Sequence, residues 1–484
     1  MVEPAVPQTA EGASLERAHL VGVGGAGMSG IARILADRGF AVAGSDARHS
    51  AVLDGLAARG VRTAVGHDAA NLALLPGGPT AVVVSTAVRP DNPEVLAARA
   101  AGVPVVRRAD ALAALMVGYR GVCVAGTHGK TSTTSMLTVA LQQVGLDPSF
   151  AIGGELTGSG LGAHHGAGDI FVAEADESDG SFLSFSPHAA IVTKLEPDHL
   201  DHHGTAEAYT AVFDQFIDRI EPGGFLVVCA DDPGTAALAS RADLRRVITC
   251  GRSDAAMVRL LDGLPAVDAA AGDVRGPAVR LTDGQWVGLT LSVPGDHMML
   301  NAVAALAAGV ELGVDPHALA NGLAAYTGVR RRFELKGEVA GITVYDDYAH
   351  HPTEVSAQIA AARGVLESSA VSSAGGRLAV VFQPHLYSRT ASFAAAFGAA
   401  LAGADLVVVL DVYGAREDPQ PGVTGELIAT AVPPGSATVL YHPDRPSAAE
   451  FVAGVLKPGD IVITMGAGDV TTIGPELLTL LAAE

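Results

Sequence analysis

The sequence predicts an α/β protein of three domains in series, and three observations carry that expectation. Short Val-, Ala- and Leu-rich runs of the fully buried kind alternate with helical patterns along most of the chain, which is the grammar of parallel βαβ units. The chain has 484 residues, and at about 100–200 residues per domain that length asks for two to four domains. The rhythm breaks once, over residues 262–294, where Gly, Pro and Asp separate short alternating runs and predict a small antiparallel appendage.

Taken in order, residues 1–17 contain Pro and Glu but no basic start and no apolar run, and read as a flexible tail. The first domain, 18–118, has strands expected at Leu20–Val23, Ala41–Ala43, Ala81–Val84 and Val103–Val106. The second, 119–331, opens on Gly121–Ala125 and continues through Ile170–Ala173, Ala189–Thr193 and Phe225–Cys229. After the appendage, apolar periodicity returns over His297–Leu312 and predicts a helix. The third domain, 332–484, repeats the pattern at Ile342–Tyr345, Arg377–Phe382, Leu406–Leu410, Ala437–Tyr441 and Ile461–Met465. Within it, the Ser/Ala/Gly stretch Ser368–Gly376 reads as a solvated loop.

Composition narrows the function. With 49% hydrophobic and 17% charged residues the chain can fill sizeable cores, which excludes a mostly disordered protein. Its 52 acidic against 31 basic side chains give a formal charge of −21. That balance excludes a basic-faced nucleic-acid binder, so any phosphate must be held by local geometry. Cys123, Cys229 and Cys250 lack metal-ligand spacing. No run of about 18 uncharged apolar residues predicts membrane insertion. The expectation is a soluble, cytoplasmic monomer or weak homodimer with no nucleic-acid partner.

Three motifs then carry chemistry. Gly22-Val23-Gly24-Gly25-Ala26-Gly27 joins a strand to a helix, with Asp46 at the end of the next strand. Glycines there let backbone amides and a helix N-terminus approach a diphosphate, although a merely conformational turn gives the same letters. Gly126-Thr127-His128-Gly129-Lys130-Thr131 has the makings of a phosphate loop, with amides for phosphate, a lysine for its charge and a hydroxyl for Mg²⁺. It departs from the strict pattern, since Val124 stands where the first glycine would be. Lys130 is one of only four lysines among the 31 basic residues, so a point charge is kept here in a chain that otherwise uses arginine. Glu174-Ala175-Asp176-Glu177-Ser178-Asp179, after strand Ile170–Ala173, offers hard oxygen ligands for Mg²⁺ or is a solvated acidic loop. Weaker signals follow: Glu196–His203, Pro294–His297 with Asn301, Arg330–Phe333, Asp346–Pro352, Gln383–Arg389 and Gly466–Asp469. All but the arginine run follow predicted strands or enter helices, where sites accumulate in open α/β sheets.

In order and spacing the set resembles the Mur ligases of peptidoglycan synthesis, from about His19 to Thr472. Gly22–Ser29, Glu174–Asp179, Glu196–Asp201, Asp346–Glu354 and Gln383–Thr390 are similar to the forms in the alanine-adding member. The resemblance implies a Rossmann-like N-terminal domain, a central P-loop ATPase domain and a Rossmann-like C-terminal domain. It implies ATP-dependent ligation of L-alanine to the lactyl carboxylate of UDP-N-acetylmuramate through an acyl phosphate, with Mg²⁺ as cofactor and Mn²⁺ able to substitute. By position, Gly24, Gly25, Ala26, Gly27, Met28, Ser29 and Asp46 fall in the sugar-nucleotide site. Gly126 to Lys130 would bind ATP; Thr131 and Glu174 would hold one metal, and His199 a second. His297 and Asn301 match the adenine-binding stretch, and Arg332 and Asp347 match residues that close over the nucleotide. His350, His351, His385, Tyr387 and Arg389 fall where the amino acid and the acyl phosphate are met.

Three positions depart from the family pattern: Met298 and Lys194 stand where Asn is usual, and Leu386 where a basic residue is frequent. The runners-up within the family are the peptide-recycling and folate-type ligases. An NAD-dependent oxidoreductase would explain Gly22–Gly27 but leave the phosphate loop idle. A P-loop switch would explain Lys130 but leave the outer domains without a task.

Overall fold

Strands buried on both faces need helices on either side, and the described residues form three sheets of that kind. The computed structural model of the chain describes residues 6–243, 246–263, 276–368, 376–415 and 417–483.

The first sheet contains β1 (Arg17–Val21), β2 (Ala41–Asp46), β3 (Arg62–Val65), β4 (Ala81–Val84) and β5 (Val105–Arg107). Its order is β3-β2-β1-β4-β5, parallel throughout. The strand order reverses beside β1, so a crevice opens at the carboxyl ends of β1 and β4. β1 ends two residues earlier than expected, because Gly22 and Val23 already turn away to donate to the Ser45 carbonyl.

Residues 7–16 are not the flexible tail expected. Gln8 and Ser14 form a β-bridge, Thr9 Oγ1 accepts from the Ala13 amide at 3.1 Å, and Leu15 is fully buried. One apolar side chain, worth about 2 kcal/mol when buried, pins this turn to the domain. Residues 1–5 of that stretch lie outside the described residues.

The second sheet takes β6 (Arg120–Ala125), β7 (Ser149–Ala151), β8 (Ala163–His164), β9 (Ile170–Glu174), β10 (Ala189–Val192), β11 (Phe225–Cys229), β12 (Val247–Gly251), β13 (Val258–Leu261), β14 (Ala278–Arg280) and β15 (Trp286–Gly288). The order is β15-β14-β13-β12-β11-β10-β6-β9-β7-β8. The antiparallel appendage is real, but it begins earlier, at β13, and extends the sheet itself through β13–β14 and β14–β15 pairing. Residues 264–275 within it lie outside the described residues. The predicted helix follows as Asp296–Glu311.

The third sheet has β16 (Glu334–Val339), β17 (Ile342–Asp347), β18 (Leu378–Phe382), β19 (Leu406–Val409), β20 (Thr438–Tyr441) and β21 (Ile461–Met465), in the order β16-β17-β21-β18-β19-β20. Only β16 among these described strands is antiparallel to its neighbour. Of the loop expected at Ser368–Gly376, Ser368 still belongs to helix Pro352–Ser368, and 369–375 lie outside the described residues.

By packing, the chain divides into two units. One runs to Ser292 and takes in Leu300–Thr327; the other comprises Val293–Met299 and Gly328 onward. Val293–Met299 and Gly328–Arg331, expected with the central domain, therefore pack with the C-terminal one. In the first unit a continuous core runs from Leu15 through Phe171 and Phe213 to Leu238 and serves both sheets. The C-terminal sheet has one core on each face, around Phe382 and Phe397 on one side and Val344 and Leu477 on the other. Among the described residues no helix is long and apolar enough to cross a membrane.

Candidate active site

At the first sheet's crevice lies a cavity of about 760 Å³. Gly22, Gly25, Ala26, Gly27, Met28 and Asp46 line it, together with His67 after β3, Ser85–Val88 after β4, and Arg108. Every contributor from the strand ends sits at a carboxyl end, as the switch point requires. Asp46 accepts from the Gly24 amide at 2.9 Å, and helix Ala26–Asp37 starts at the cavity with its amides facing inward. Ser29 is not brought to the wall in the same way. Its hydroxyl donates to the Ala26 carbonyl at 3.0 Å within the helix.

Beneath this cavity is a polar cluster the sequence reading missed. Glu94 and His19 are both fully buried, with His19 Nε2 2.7 Å from Glu94 Oε2. Ser45 and Asn71 donate to the same carboxylate at 2.8 Å each, and His67 Nδ1 lies 3.4 Å away. Burial opposes the charge of Glu94, but hydrogen bonds from His19, Asn71 and Ser45 outweigh it and hold its pKa at about 2.

The second motif forms a loop between β6 and helix Lys130–Gln143. Lys130 Nζ donates to the carbonyls of Gly126 and Thr127 at 2.7 and 3.3 Å, and to Glu177 Oε1 at 2.8 Å. Burial opposes the ammonium, yet the carboxylates of Glu177, Asp176 and Glu174 raise its pKa, so it is a secure cation. Glu177 is fully buried, and burial pushes its own carboxyl up to about 7 against the pull of Lys130. Its second oxygen, Oε2, is buried without a hydrogen-bond partner among the described residues. Thr131 Oγ1 donates to Glu174 Oε1 at 3.0 Å, and Glu174 Oε2 accepts from the Gly153 amide at 2.8 Å. His199, in the left-handed conformation with φ 52°, places Nε2 4.0 Å from Glu177 Oε1. The structure thus brings Lys130, Thr131, Glu174 and His199 to one place. Glu177 joins them without having been singled out within its acidic run.

Thr127 and His128 face elsewhere: Thr127 Oγ1 donates to the Glu196 carbonyl at 2.9 Å, and His128 Nε2 lies 2.6 Å from Glu196 Oε1. Lys194 pairs with the other oxygen of Glu196 at 3.1 Å, so this departure from Asn supports the loop through charge. Gly129 has φ +82°, and a Cβ there would stand 2.7 Å from Asn301 Oδ1. Gly129→Ala is expected to lower the unfolding midpoint by a few degrees, since left-handed backbone costs a non-glycine residue about 1–2 kcal/mol before the clash is counted. It should also weaken ATP binding, and thermal melts with and without nucleotide check both.

In the C-terminal unit, Asp347 is fully buried and accepts from the amides of Phe333 and Ala349, both at 2.7 Å. Burial raises its pKa to about 7 against the pull of Arg332. One oxygen thus ties down the Arg331–Phe333 turn that carries Arg332, and the other holds the chain at Ala349. The guanidinium groups of Arg331 and Arg332 lie 4.8 and 5.2 Å from the centre of the Tyr348 ring. Burial, with Arg389 and Arg332 nearby, pushes the His350 pKa down to about 3 despite Glu354. His350 Nδ1 faces the Tyr348 carbonyl at 3.1 Å, and its ring lies 6.1 Å from that of His385. His350, His385, Arg332 and Arg389 therefore form one neighbourhood. His351 packs edge-on against Phe393, and Tyr387 packs against Gly414. His297 is lowered by burial. Met298 is buried, and Leu386, also buried, has φ 69°, so these two departures occupy packed positions rather than open surface. Arg331, unassigned by the sequence, donates to the carbonyls of Gly466 and Gly468 at 2.7 and 3.1 Å.

Comparison with known proteins matches three family models in succession along the chain. Residues 17–120 match the Mur ligase family catalytic domain, 124–309 the Mur ligase middle domain and 331–468 the Mur ligase glutamate ligase domain. A UDP-N-acetylmuramate–L-alanine ligase of Saccharopolyspora erythraea is 60% identical over 476 residues, covering 96% of this chain and 93% of that protein. One of Kineococcus radiotolerans is 58% identical, covering 97% of each. The crystal structure of the UDP-N-acetylmuramate–alanine ligase of Thermotoga maritima has a TM-score of 0.77 at 28% identity, over 96% of this chain and 99% of that one. A glycine turn over a cavity, a loop that carries Lys130 beside its acidic partners and a C-terminal arginine–histidine group thus occur in the order of three matched domains, and the chain belongs to the Mur ligase family.

Proposed function

We propose that the chain ligates L-alanine to the lactyl carboxylate of UDP-N-acetylmuramate, with ATP converted to ADP and phosphate. The observation that carries this reading is the identity with L-alanine ligases along nearly the whole chain, and the geometry supplies the chemistry.

A carboxylate resists attack by an amine, because resonance and charge both oppose it. Transfer of the γ-phosphoryl group makes it an acyl phosphate, which the neutral amine then attacks as phosphate leaves. The first step brings two anions together, and Lys130 is the fixed cation that offsets their repulsion. Thr131 Oγ1 and Glu174 Oε1, hard oxygens 3.0 Å apart, with the unpartnered Glu177 Oε2 and His199 nearby, are a donor set that fits Mg²⁺. When bound, the metal neutralises charge on the phosphate oxygens. In the cavity, Asp46 would take a ribose hydroxyl and the amides at Ala26–Met28 the diphosphate, a reading supported by their presence in its lining. Asn301 and His297, one turn apart on a helix, serve the adenine. Arg332 and Arg389 serve the amino-acid carboxylate or the acyl phosphate. His350, neutral at physiological pH, serves as a hydrogen-bond partner rather than a cation.

ADP release should require UDP-N-acetylmuramate, Mg²⁺ and an amino acid together, with L-alanine preferred over glycine, D-glutamate and L-alanyl peptides. A coupled ADP assay checks this. Equal turnover without the sugar nucleotide, or preference for a tripeptide, overturns the assignment.

A further inference from the structure

Arg108 belongs to none of the motifs read from the sequence, yet it stands where two sites of the first unit meet. It opens helix Arg108–Met116 and lines the cavity beside the start of helix Ala26–Asp37. Its guanidinium lies so close over Gly27 that a Cβ there would stand 2.6 Å from Nη1. Two-thirds of its side chain is buried, and its partner Asp176 is reached at 3.4 Å, a long and weak contact. Asp176 sits in the acidic run beside the phosphate loop, where its charge already acts on Lys130. The other arginine lining the cavity, Arg89, is largely exposed and pairs with Asp91 at 3.2 Å. Arg108 is therefore the built-in cation of the cavity. The Asp46 carboxylate in the same wall is held by the Gly24 amide and is suited to a hydroxyl, not to an anion.

We propose that Arg108 is a diphosphate-binding residue shared with Asp176, so that filling the cavity draws the guanidinium off Asp176 and releases that carboxylate toward Lys130. The proposal rests on reading the cavity as the nucleotide-sugar site. It adds a physical link from that site to the phosphate loop through one exchangeable ion pair.

The test compares uridine with UDP by titration calorimetry on the full chain, so that the diphosphate is the only difference between the probes. The wild type should prefer UDP by about 10- to 100-fold, the size expected for hydrogen bonds to a charged group. Arg108→Ala should lose most of that preference while binding uridine as before, which also shows that the variant is folded. Arg108→Lys should keep part of it. Asp176→Asn should bind UDP several-fold more tightly than wild type and leave uridine unchanged, because Arg108 no longer has a partner to give up. Equal weakening of both probes by Arg108→Ala would make the residue structural and overturn the proposal. Unchanged UDP binding in Asp176→Asn would overturn the shared-partner link. If the wild type bound neither probe, the nucleotide-sugar reading of the cavity would fall first.

Discussion

Lys130→Ala should lower turnover by about three orders of magnitude, because it removes the fixed cation at the transferring phosphoryl group. The KM for the sugar nucleotide should move far less, by several-fold, since that cavity is built from the other sheet and reaches Lys130 only through Arg108 and Asp176. The same substitution has a second effect, which the structure reveals. Glu177 is fully buried and takes its charge compensation from Lys130 at 2.8 Å. Removing one partner of such a pair costs about 3–5 kcal/mol at a pH where Glu177 stays ionised, and less at neutral pH, where its carboxyl, already at about 7, takes up a proton. Lys130→Ala/Glu177→Gln should recover most of the lost stability, because no uncompensated charge is left buried, and recover none of the turnover. Urea melts and single-turnover kinetics on the two variants separate the roles. Near wild-type turnover in Lys130→Ala would refute the site.

Glu94 should give the largest effect on stability away from the chemistry. Its folded pKa is about 2, against 4.5 for an unperturbed glutamate. A depressed carboxylate stabilises the fold fully above the unfolded value and loses that contribution as pH falls from about 4.5 toward 2. The shift corresponds to about 3 kcal/mol at neutral pH. Glu94→Gln should therefore be markedly less stable than wild type at pH 7, and the gap should close between pH 4.5 and 2. A difference in urea midpoint that stays constant over that range would contradict the assignment. Because His67 bridges this cluster to the cavity wall, the variant should also bind UDP more weakly at pH 7.

Buried parallel strands announced themselves in the sequence: Ala81–Val84 and Phe225–Cys229 are apolar throughout, Ile461–Met465 is apolar but for Thr464, and all three form as read. Two of the strands that escaped lie at sheet edges. β3, Arg-Thr-Ala-Val, has no fully buried residue, and β16, Glu-Leu-Lys-Gly-Glu-Val, alternates charge along an edge. Neither shows a continuous apolar run, because one side of each strand meets solvent. The two glycine-bearing loops were legible because Gly22, Gly126 and Gly129 take a positive φ there. Glu94 looked like an ordinary first-turn acid of helix Pro93–Ala100. Its hydrogen-bond partners, His19, Ser45 and Asn71, lie 23 to 75 residues away. Arg108 was hidden for the same reason, since Gly27 is its neighbour only after folding. Leu15 shows the converse error, in which a single apolar residue in a polar stretch was too little signal to predict an ordered turn.

The ends of the sheets have a consequence for how this chain behaves when it is crowded. A sheet with a long, flat, apolar margin is a template on which a second chain can add a strand, and concentrated solutions of such proteins form fibres. Here the ten-stranded sheet closes on one side with β8, two residues long, and on the other with β15, three residues long. Neither offers enough backbone for a stranger to register. The C-terminal sheet has a six-residue margin in β16, but it carries Glu334, Lys336 and Glu338, and its register shifts between Leu335 and Gly337. The charges and the irregular backbone both work against edge-to-edge docking. Lys336→Val together with Glu338→Val should leave the fold intact and turn this margin into a site of aggregation at high protein concentration, visible by light scattering well below the unfolding temperature.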